Sequence, residues 1–228
     1  MRFERVKLAY QQKFEFIRQK LDSVGINSSY EILIFSYKRE EILEVWVKEI
    51  RNKEFRHLMN FTFCNSSGTL GPKRQLNDYQ IPEGFYHINV FSPNDDYYLA
   101  LKVNYPNVSD LILKTAKHPG QEIYTHGYCC TIGCIPITNE KIQELYILCV
   151  EARNSGQQRI PVYMFPSRLD SAGLEESKKV FATYNWTREK TEKVIRFWEN
   201  LKIGYDYFHR NKILPNISVD KNGKYLFK

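Results

Sequence analysis

An α+β fold is the class this sequence predicts: a β-rich body with one helix before it and mostly helical chain after it. Three observations carry that expectation. Short apolar runs broken by turn residues fill positions 31–103, and apolar residues recur at helical spacing near the N-terminus and again beyond 138. The composition is also aromatic, with 16 Tyr and 14 Phe in 228 residues, and rings of that size suit a half-buried pleated face. With 43% hydrophobic residues, a chain of this length buries a substantial core, which excludes a disordered or fibrous protein.

The elements follow in order. Phe3, Val6, Tyr10, Phe14, Ile17 and Leu21 form one stripe of an amphipathic helix over 1–24, which Gly25 ends. The runs 31–37 and 42–47, separated by the charged segment 38–41, predict a hairpin, and 57–63 predicts a third strand leading into a Gly- and Ser-rich loop at 64–72. Shorter strands fit 84–91, 97–103, 122–124 and 160–165. Thr138 caps a helix carrying Ile142, Leu145, Tyr146, Leu148 and Cys149, which closes at Asn154-Ser155-Gly156. Two more helices fit 174–184 and 187–201, and a terminal hairpin fits 217–227 around Lys221-Asn222-Gly223-Lys224. The organisation expected is a helical segment at 1–29, a body at 30–167 and a mostly helical appendage at 168–228.

Net charge is +7, from 33 Lys and Arg against 26 Asp and Glu, which favours encounter with anionic partners. The basic residues are scattered among acids with no basic run and no aromatic-basic motif, which argues against nucleic-acid binding. No apolar run reaches the roughly 18 residues of a membrane span. The opening Met1-Arg2-Phe3-Glu4-Arg5 is not a secretory signal, so an exported form is expected to carry its signal outside this sequence.

Five cysteines, Cys64, Cys129, Cys130, Cys134 and Cys149, make an odd set, so at least one lacks an intramolecular partner. A disulfide between the neighbours Cys129 and Cys130 would be strained, and a chain of this size needs no staples, so a reactive thiol is the favoured reading. The informative stretch is 123–136, where a short strand delivers His126, a compact loop follows, and Gly133-Cys134 precedes the next element. Only the thiolate attacks efficiently, and an unperturbed thiol titrates at about 8.5, so Cys134 as nucleophile needs a base, for which His126 is the candidate. Gly133 lets the backbone turn so that amide N–H groups face an oxyanion, Gly127 offers the same freedom beside the histidine, and Thr131 brings a hydroxyl near the thiol. No Asp or Glu lies between Glu122 and Cys134, so a backbone carbonyl is expected to fix the imidazole tautomer. Two alternatives stand beside this reading. Cys129 and Cys130 read as inert thiols in a buried strand, and His126, Cys129, Cys130 and Cys134 are a mixed donor set of the kind zinc takes, although no Cys pair has the usual two-residue spacing.

These residues resemble a family: the L,D-transpeptidase (YkuD-type) catalytic domain, in its YafK-like murein transpeptidase branch. The resemblance spans roughly 30–167 and rests on His126-Gly127, on Thr131-Ile132-Gly133-Cys134 as a Ser/Thr-x-Gly-Cys signature, and on Ser66-Ser67-Gly68, Gly71-Pro72-Lys73 and Ile81-Pro82-Glu83-Gly84-Phe85-Tyr86. It implies a mixed β-sandwich, a periplasmic or envelope location, no metal or organic cofactor, and acyl-enzyme chemistry through Cys134 on peptidoglycan stem peptides. Two departures bear on the outcome: the His126 to Cys134 gap is short for the family, and Ile135-Pro136-Ile137 stands where an Arg commonly follows the cysteine. Those departures resemble a branch that includes hydrolases releasing wall-linked lipoprotein, so hydrolysis stands beside transfer to an amine. A wall-binding module without turnover and a cysteine hydrolase for another amide are the remaining alternatives. Lys73, Arg74 and Tyr105 are candidates for holding substrate, with surface charge or a packing turn as the competing reading.

Overall fold

The computed structural model describes residues 2–228. In chain order the elements are α1 (Glu4–Ser23), β1 (Tyr30–Tyr37), β2 (Ile42–Glu49), β3 (Arg56–Thr62), β4 (Gly84–Asp95), β5 (Tyr98–Val103), α2 (Val108–Leu113), β6 (Ile123–His126), β7 (Ile135–Pro136), α3 (Asn139–Asn154), β8 (Ile160–Phe165), α4 (Ser171–Ala182), α5 (Arg188–Asn211), β9 (Ile217–Val219) and β10 (Tyr225–Phe227). Eight strands form one mixed sheet in the order β3-β2-β1-β8-β4-β5-β6-β7, and β9 pairs with β10 in a separate hairpin. The fold is α+β with an N-terminal helix, as the sequence predicts.

Successive side chains of a strand point to opposite faces, so a strand buried on both faces reads as an unbroken apolar run. β1 does this: Ile32 and Ile34 enter the core under α1 and α3, while Leu33, Phe35 and Tyr37 enter a second core on the other face. That second core is completed by Leu174, Phe181, Trp198, Leu201, Phe208 and Tyr225. The segment 168–228, expected as an appendage, is therefore the second covering layer of the sheet.

Local chemistry sets the helix ends. Gly25 adopts φ +75°, and its N–H donates to the Asp22 carbonyl while that of Ile26 donates to Leu21, closing α1 where the sequence places its end. Thr138 caps α3 by accepting from the Lys141 amide. α5 runs on to Asn211 instead of stopping near 201, because Gly204 is tolerated mid-helix as the point where Phe85 and Phe227 press against the backbone. A Cβ there would lie 2.7 Å from Phe85 and 2.4 Å from Phe227. Two short elements have no counterpart in the sequence reading: α2, held by a capping box between Asn107 and Asp110, and the two-residue β7.

One buried network fastens the loop 64–83 between the sheet and α5. Lys38 Nζ donates to the carbonyls of Gly71 (2.8 Å) and Ile81 (3.1 Å) and to Glu83 (3.1 Å). Glu83 also accepts from the Gly71 amide at 2.9 Å and from Trp198 Nε1 at 2.6 Å. Gly84, at φ +152°, leaves room for the hydroxyls of Tyr225 and Tyr86, which explains the glycine of the Pro82-Glu83-Gly84 element. Removing one partner of a buried pair strands the other charge, at a cost of about 3–5 kcal/mol. Lys38→Met is expected to lose stability on that scale in urea unfolding, and the double change Lys38→Met with Glu83→Gln to recover part of it.

Candidate active site

The site is built on the sheet's far edge. β6 pairs antiparallel with β5, Ala100 opposite His126, and parallel with β7, Thr125 opposite Ile135 and His126 opposite Pro136. One further step along this ladder sets Cys134 opposite Tyr124, whose backbone amide bears on the thiol. Residues two apart on a strand share a face, so Cys134 and His126 project from the same side of adjacent strands about 4.8 Å apart.

His126 is 1% exposed. Its Nδ1 lies 2.5 Å from the Gly127 carbonyl; a carbonyl only accepts, so Nδ1 carries the hydrogen and Nε2 is left as the base. The expected carbonyl orienter is thus the residue next to the histidine. The ring of Tyr97, from the β4–β5 turn, lies on the imidazole with centroids 4.7 Å apart. Burial pushes the His126 pKa below its ordinary 6.5, against the opposing pulls of the Gly127 hydrogen bond and the Asp95 carboxylate.

Cys134 is half-buried, its Sγ 4.0 Å from the Glu122 carbonyl. Burial pushes the thiol above its ordinary 9.0; the Tyr124 amide pulls it down, Asp95 raises it, Lys73 lowers it and Cys130 raises it. Burial therefore favours the neutral form of each group, thiol and imidazole.

Thr131 organises the turn before Cys134. Its Oγ1 donates to the Cys134 carbonyl at 2.8 Å and accepts from the Gly133 amide at 3.1 Å. The Gly133 N–H, expected to face an oxyanion, is thereby occupied. N–H groups alternate between the two edges of a strand, and the Ile137 amide donates to the His126 carbonyl, so the Cys134 N–H points away from β6 and is the candidate donor. Gly133 itself has φ +135°, and a Cβ there would meet the Gln80 carbonyl at 3.0 Å. Gly127 is required by crowding, since a Cβ would lie 2.4 Å from Asn139 Oδ1 and 2.8 Å from the Tyr97 carbonyl.

The remaining cysteines correct the sequence reading. Cys129 and Cys130 stand on an exposed loop, not in a buried strand, and Cys129 forms a disulfide with Cys64 across a Cα–Cα distance of 5.3 Å. Cys64 is brought there by its amide donating to the Pro136 carbonyl at 3.0 Å, and Asn65 Nδ2 adds a bond to the Cys129 carbonyl at 2.9 Å. With Cys129 taken by this bridge, the four-ligand zinc alternative loses one of its donors.

The three substrate-holding candidates separate. Lys73 is 3% exposed and donates to Asp78 at 2.5 Å and to the Gln75 carbonyl at 3.3 Å. Tyr105 is 4% exposed and donates to the Pro119 carbonyl at 2.7 Å. Both are committed inside the protein, where they shape the 73–80 and 105–120 loops instead of meeting a ligand. Arg74, paired with Asp110 at 2.8 Å, lines an open cavity of about 1220 Å³ together with Trp186, Lys190 and Phe197. Neither Cys134 nor His126 lines that cavity; its link to Cys134 is Gln80, which lines it while its carbonyl backs Gly133. Sequence reasoning missed Asp95 and Tyr97, which lie far from the motif in the chain and carry no local signal.

Fold and site together define a class: a mixed-sheet α+β protein with a half-buried cysteine one strand away from a tautomer-fixed histidine. Comparison with known proteins narrows it. The chain is 33% identical over 197 residues, 86% of its own length and 73% of the relative's, to "Putative L,D-transpeptidase YafK" of Escherichia coli strain K12, with the same figures for the O157:H7 protein of that name. This chain belongs to the L,D-transpeptidase family, on its YafK side. No family model matches it. Among solved structures, the helical cell shape determining protein Pgp2 of Campylobacter jejuni aligns over 90% of this chain and 80% of its own, at 18% identity and a TM-score of 0.48. Bd1075 of Bdellovibrio bacteriovorus aligns over 75% and 56%, at 18% identity and 0.44.

The cysteine chemistry has a direct readout. In a thiol-labelling time course followed by peptide mapping, Cys130 is expected to react first at neutral pH, and Cys134 slowly, with a rate that climbs as pH rises past 9.0. Cys149, fully buried, should label only on unfolding, and Cys64 and Cys129 only after reduction. Rapid labelling of Cys134 below pH 7 would contradict the neutral-pair description.

Proposed function

We propose that this protein is a cysteine acyltransferase of peptidoglycan stem peptides, with Cys134 as nucleophile, His126 as general base and acid, and the Cys134 amide as an oxyanion donor. The reading is supported by the parallel β6/β7 register, which when extended by one residue sets Cys134 and His126 on one face, and by the Gly127 carbonyl that holds Nδ1–H. The wall peptide as substrate rests on membership of the family, as does a place in the periplasm or cell envelope.

Each step follows from those groups. As Cys134 sulfur attacks the stem-peptide carbonyl carbon, the thiol proton passes to His126 Nε2, and the carbonyl oxygen takes the negative charge beside the Cys134 N–H. Collapse breaks the C–N bond, and the departing amine takes the proton from the imidazolium, leaving a thioester on Cys134 and a neutral histidine. An amine or a water then attacks the thioester with His126 again taking the proton. The sulfur leaves and is reprotonated. An amine acceptor yields a cross-link or an attached protein; water frees the stem peptide, and where the amine expelled in the first half belonged to a wall-linked lipoprotein the net result is release of that lipoprotein.

Ile135, Pro136 and Ile137 are all buried, so the segment after the nucleophile enters the sheet without offering a cation to a substrate carboxylate. Nothing in the acyl-enzyme step depends on such a cation; the acceptor decides the product.

Incubation of the purified protein with wall fragments, followed by mass analysis, tests this. Wild type should remove or exchange the residue beyond the acylated one, and Cys134→Ala should abolish the change while a trapped thioester appears only with Cys134 present. Unchanged fragments, or a fully active Cys134→Ala, would remove the proposal. A second expectation concerns pH. With His126 below 6.5 and Cys134 above 9.0, base catalysis is lost only on protonating the imidazole. So kcat/KM should fall as pH drops through a midpoint under 6.5 and stay level up to about 9.

A further inference from the structure

The β4–β5 turn does more than join two strands. Strand pairing shifts register between Ser92 and Asp95, and Tyr98 sits at φ +82°, a left-handed conformation that a bulky residue adopts only when its surroundings enforce it. The enforcing group is on the N-terminal helix. Arg5 Nη1 donates to the carbonyls of both Asp95 and Tyr98, each at 2.6 Å, and the guanidinium lies 5.4 Å from the centroid of the Tyr98 ring. A second tie runs from α1 through Gln12 to Gln143 of α3 (3.2 Å), whose Nε2 also donates to the Tyr98 hydroxyl at 2.7 Å.

Between the two carbonyls that Arg5 holds lies Tyr97, whose ring covers His126 at 4.7 Å and whose own carbonyl packs where only the glycine at 127 leaves room. Tyr97 is otherwise open to solvent, 45% exposed, so no packing on its outer side keeps it over the imidazole. We propose that Arg5 is a positioning residue for the reaction: it clamps the β4–β5 turn from α1 so that Tyr97 roofs His126, making the N-terminal helix part of the catalytic apparatus. The proposal rests on the assignment of His126 as the base. It assigns a function to α1 that its amphipathic stripe alone does not, since the stripe requires only packing.

The clamp is a hydrogen-bond bridge between two carbonyls, so its loss frees the turn without emptying the core. Expected consequences are separable from folding. In Arg5→Ala, the upfield ring-current shift that Tyr97 imposes on the His126 Cε1 proton in NMR spectra should shrink toward its value in Tyr97→Leu, while the melting profile stays cooperative. Turnover on wall peptides should fall about tenfold or more in kcat with KM little changed, as expected for a misplaced base. Arg5→Lys, which keeps a donor at that place, should restore a substantial part of both, and Arg5→Ala in the Tyr97→Leu background should cost little more.

An Arg5→Ala protein whose His126 proton resonates as in wild type would overturn the proposal. So would a kcat loss that Arg5→Lys leaves unrescued, or a normal kcat despite the lost ring-current shift. Should wild type itself leave wall peptides unchanged, the functional reading falls, whereas the NMR comparison still decides whether Arg5 holds Tyr97 in place.

Discussion

The pairing of β6 with β7, only two residues on each side, is the constraint on which the site depends. Parallel neighbours normally require a crossover of a dozen or more residues, and here the return is made by 127–134 alone. Backbone that tight must use uncommon conformations, supplied by Tyr128 at φ +55° and Gly133 at φ +135°. A loop standing out in solvent has no core of its own to offset the entropy of ordering it. The chain compensates by local means: Thr131 bonds both flanks of the turn, Asn139 Oδ1 accepts from the Tyr128 amide, and the Cys64–Cys129 bridge closes a 65-residue span. In the loop-closure picture a bridge of that span is worth about 4 kcal/mol, more than any one hydrogen bond in the loop supplies.

Desolvation then decides how the two reactive groups rest. Burial disfavours both the thiolate and the imidazolium, so proton transfer is deferred until the sulfur has a carbon to bond with. Asp95 sharpens this. Its carboxylate favours the imidazolium and disfavours the thiolate, so it opposes a resting ion pair on the sulfur side.

What the sequence made legible follows from how local each determinant is. β1 and β2, α1 with its end at Gly25, and α3 with its Thr138 cap were readable because apolar period and capping chemistry are contained within a few residues. The candidate pair Cys134 and His126 could be singled out for the same reason, since Thr131-Ile132-Gly133-Cys134 and His126-Gly127 sit in one short stretch. β7 was not, because two residues carry no period. The Cys64–Cys129 bridge was not, because its spacing is meaningless until β3 and β7 are known to end together. Lys73 and Tyr105 were candidates for holding substrate by residue type and loop position, and only the partners Asp78 and Pro119 place them inside. Asp95 and Tyr97 of the β4–β5 turn bear on His126, and Arg5 of α1 bears on that turn; this meeting of two distant stretches of chain is purely tertiary.

The same reasoning explains why residues 168–228 bear on the site although none of them reaches it. Because Gly133 has no Cβ, the Gln80 carbonyl can approach to 3.0 Å of where one would lie, which brings the loop before Cys134 against the 64–83 loop. Gln80 is held by Thr69 through its side-chain amide at 2.9 Å and touches Lys38 at 3.4 Å. Lys38 in turn is held by Glu83, and Glu83 by Trp198 of α5. From Gln80 inward every link in that path is a polar contact, and its inner members, Lys38, Glu83 and Trp198, are buried, where an unmade bond costs more than a made one gains. The loop beneath Cys134 therefore has few alternative positions while α5 stays docked, so the second covering layer contributes to the placement of the nucleophile as well as to the core.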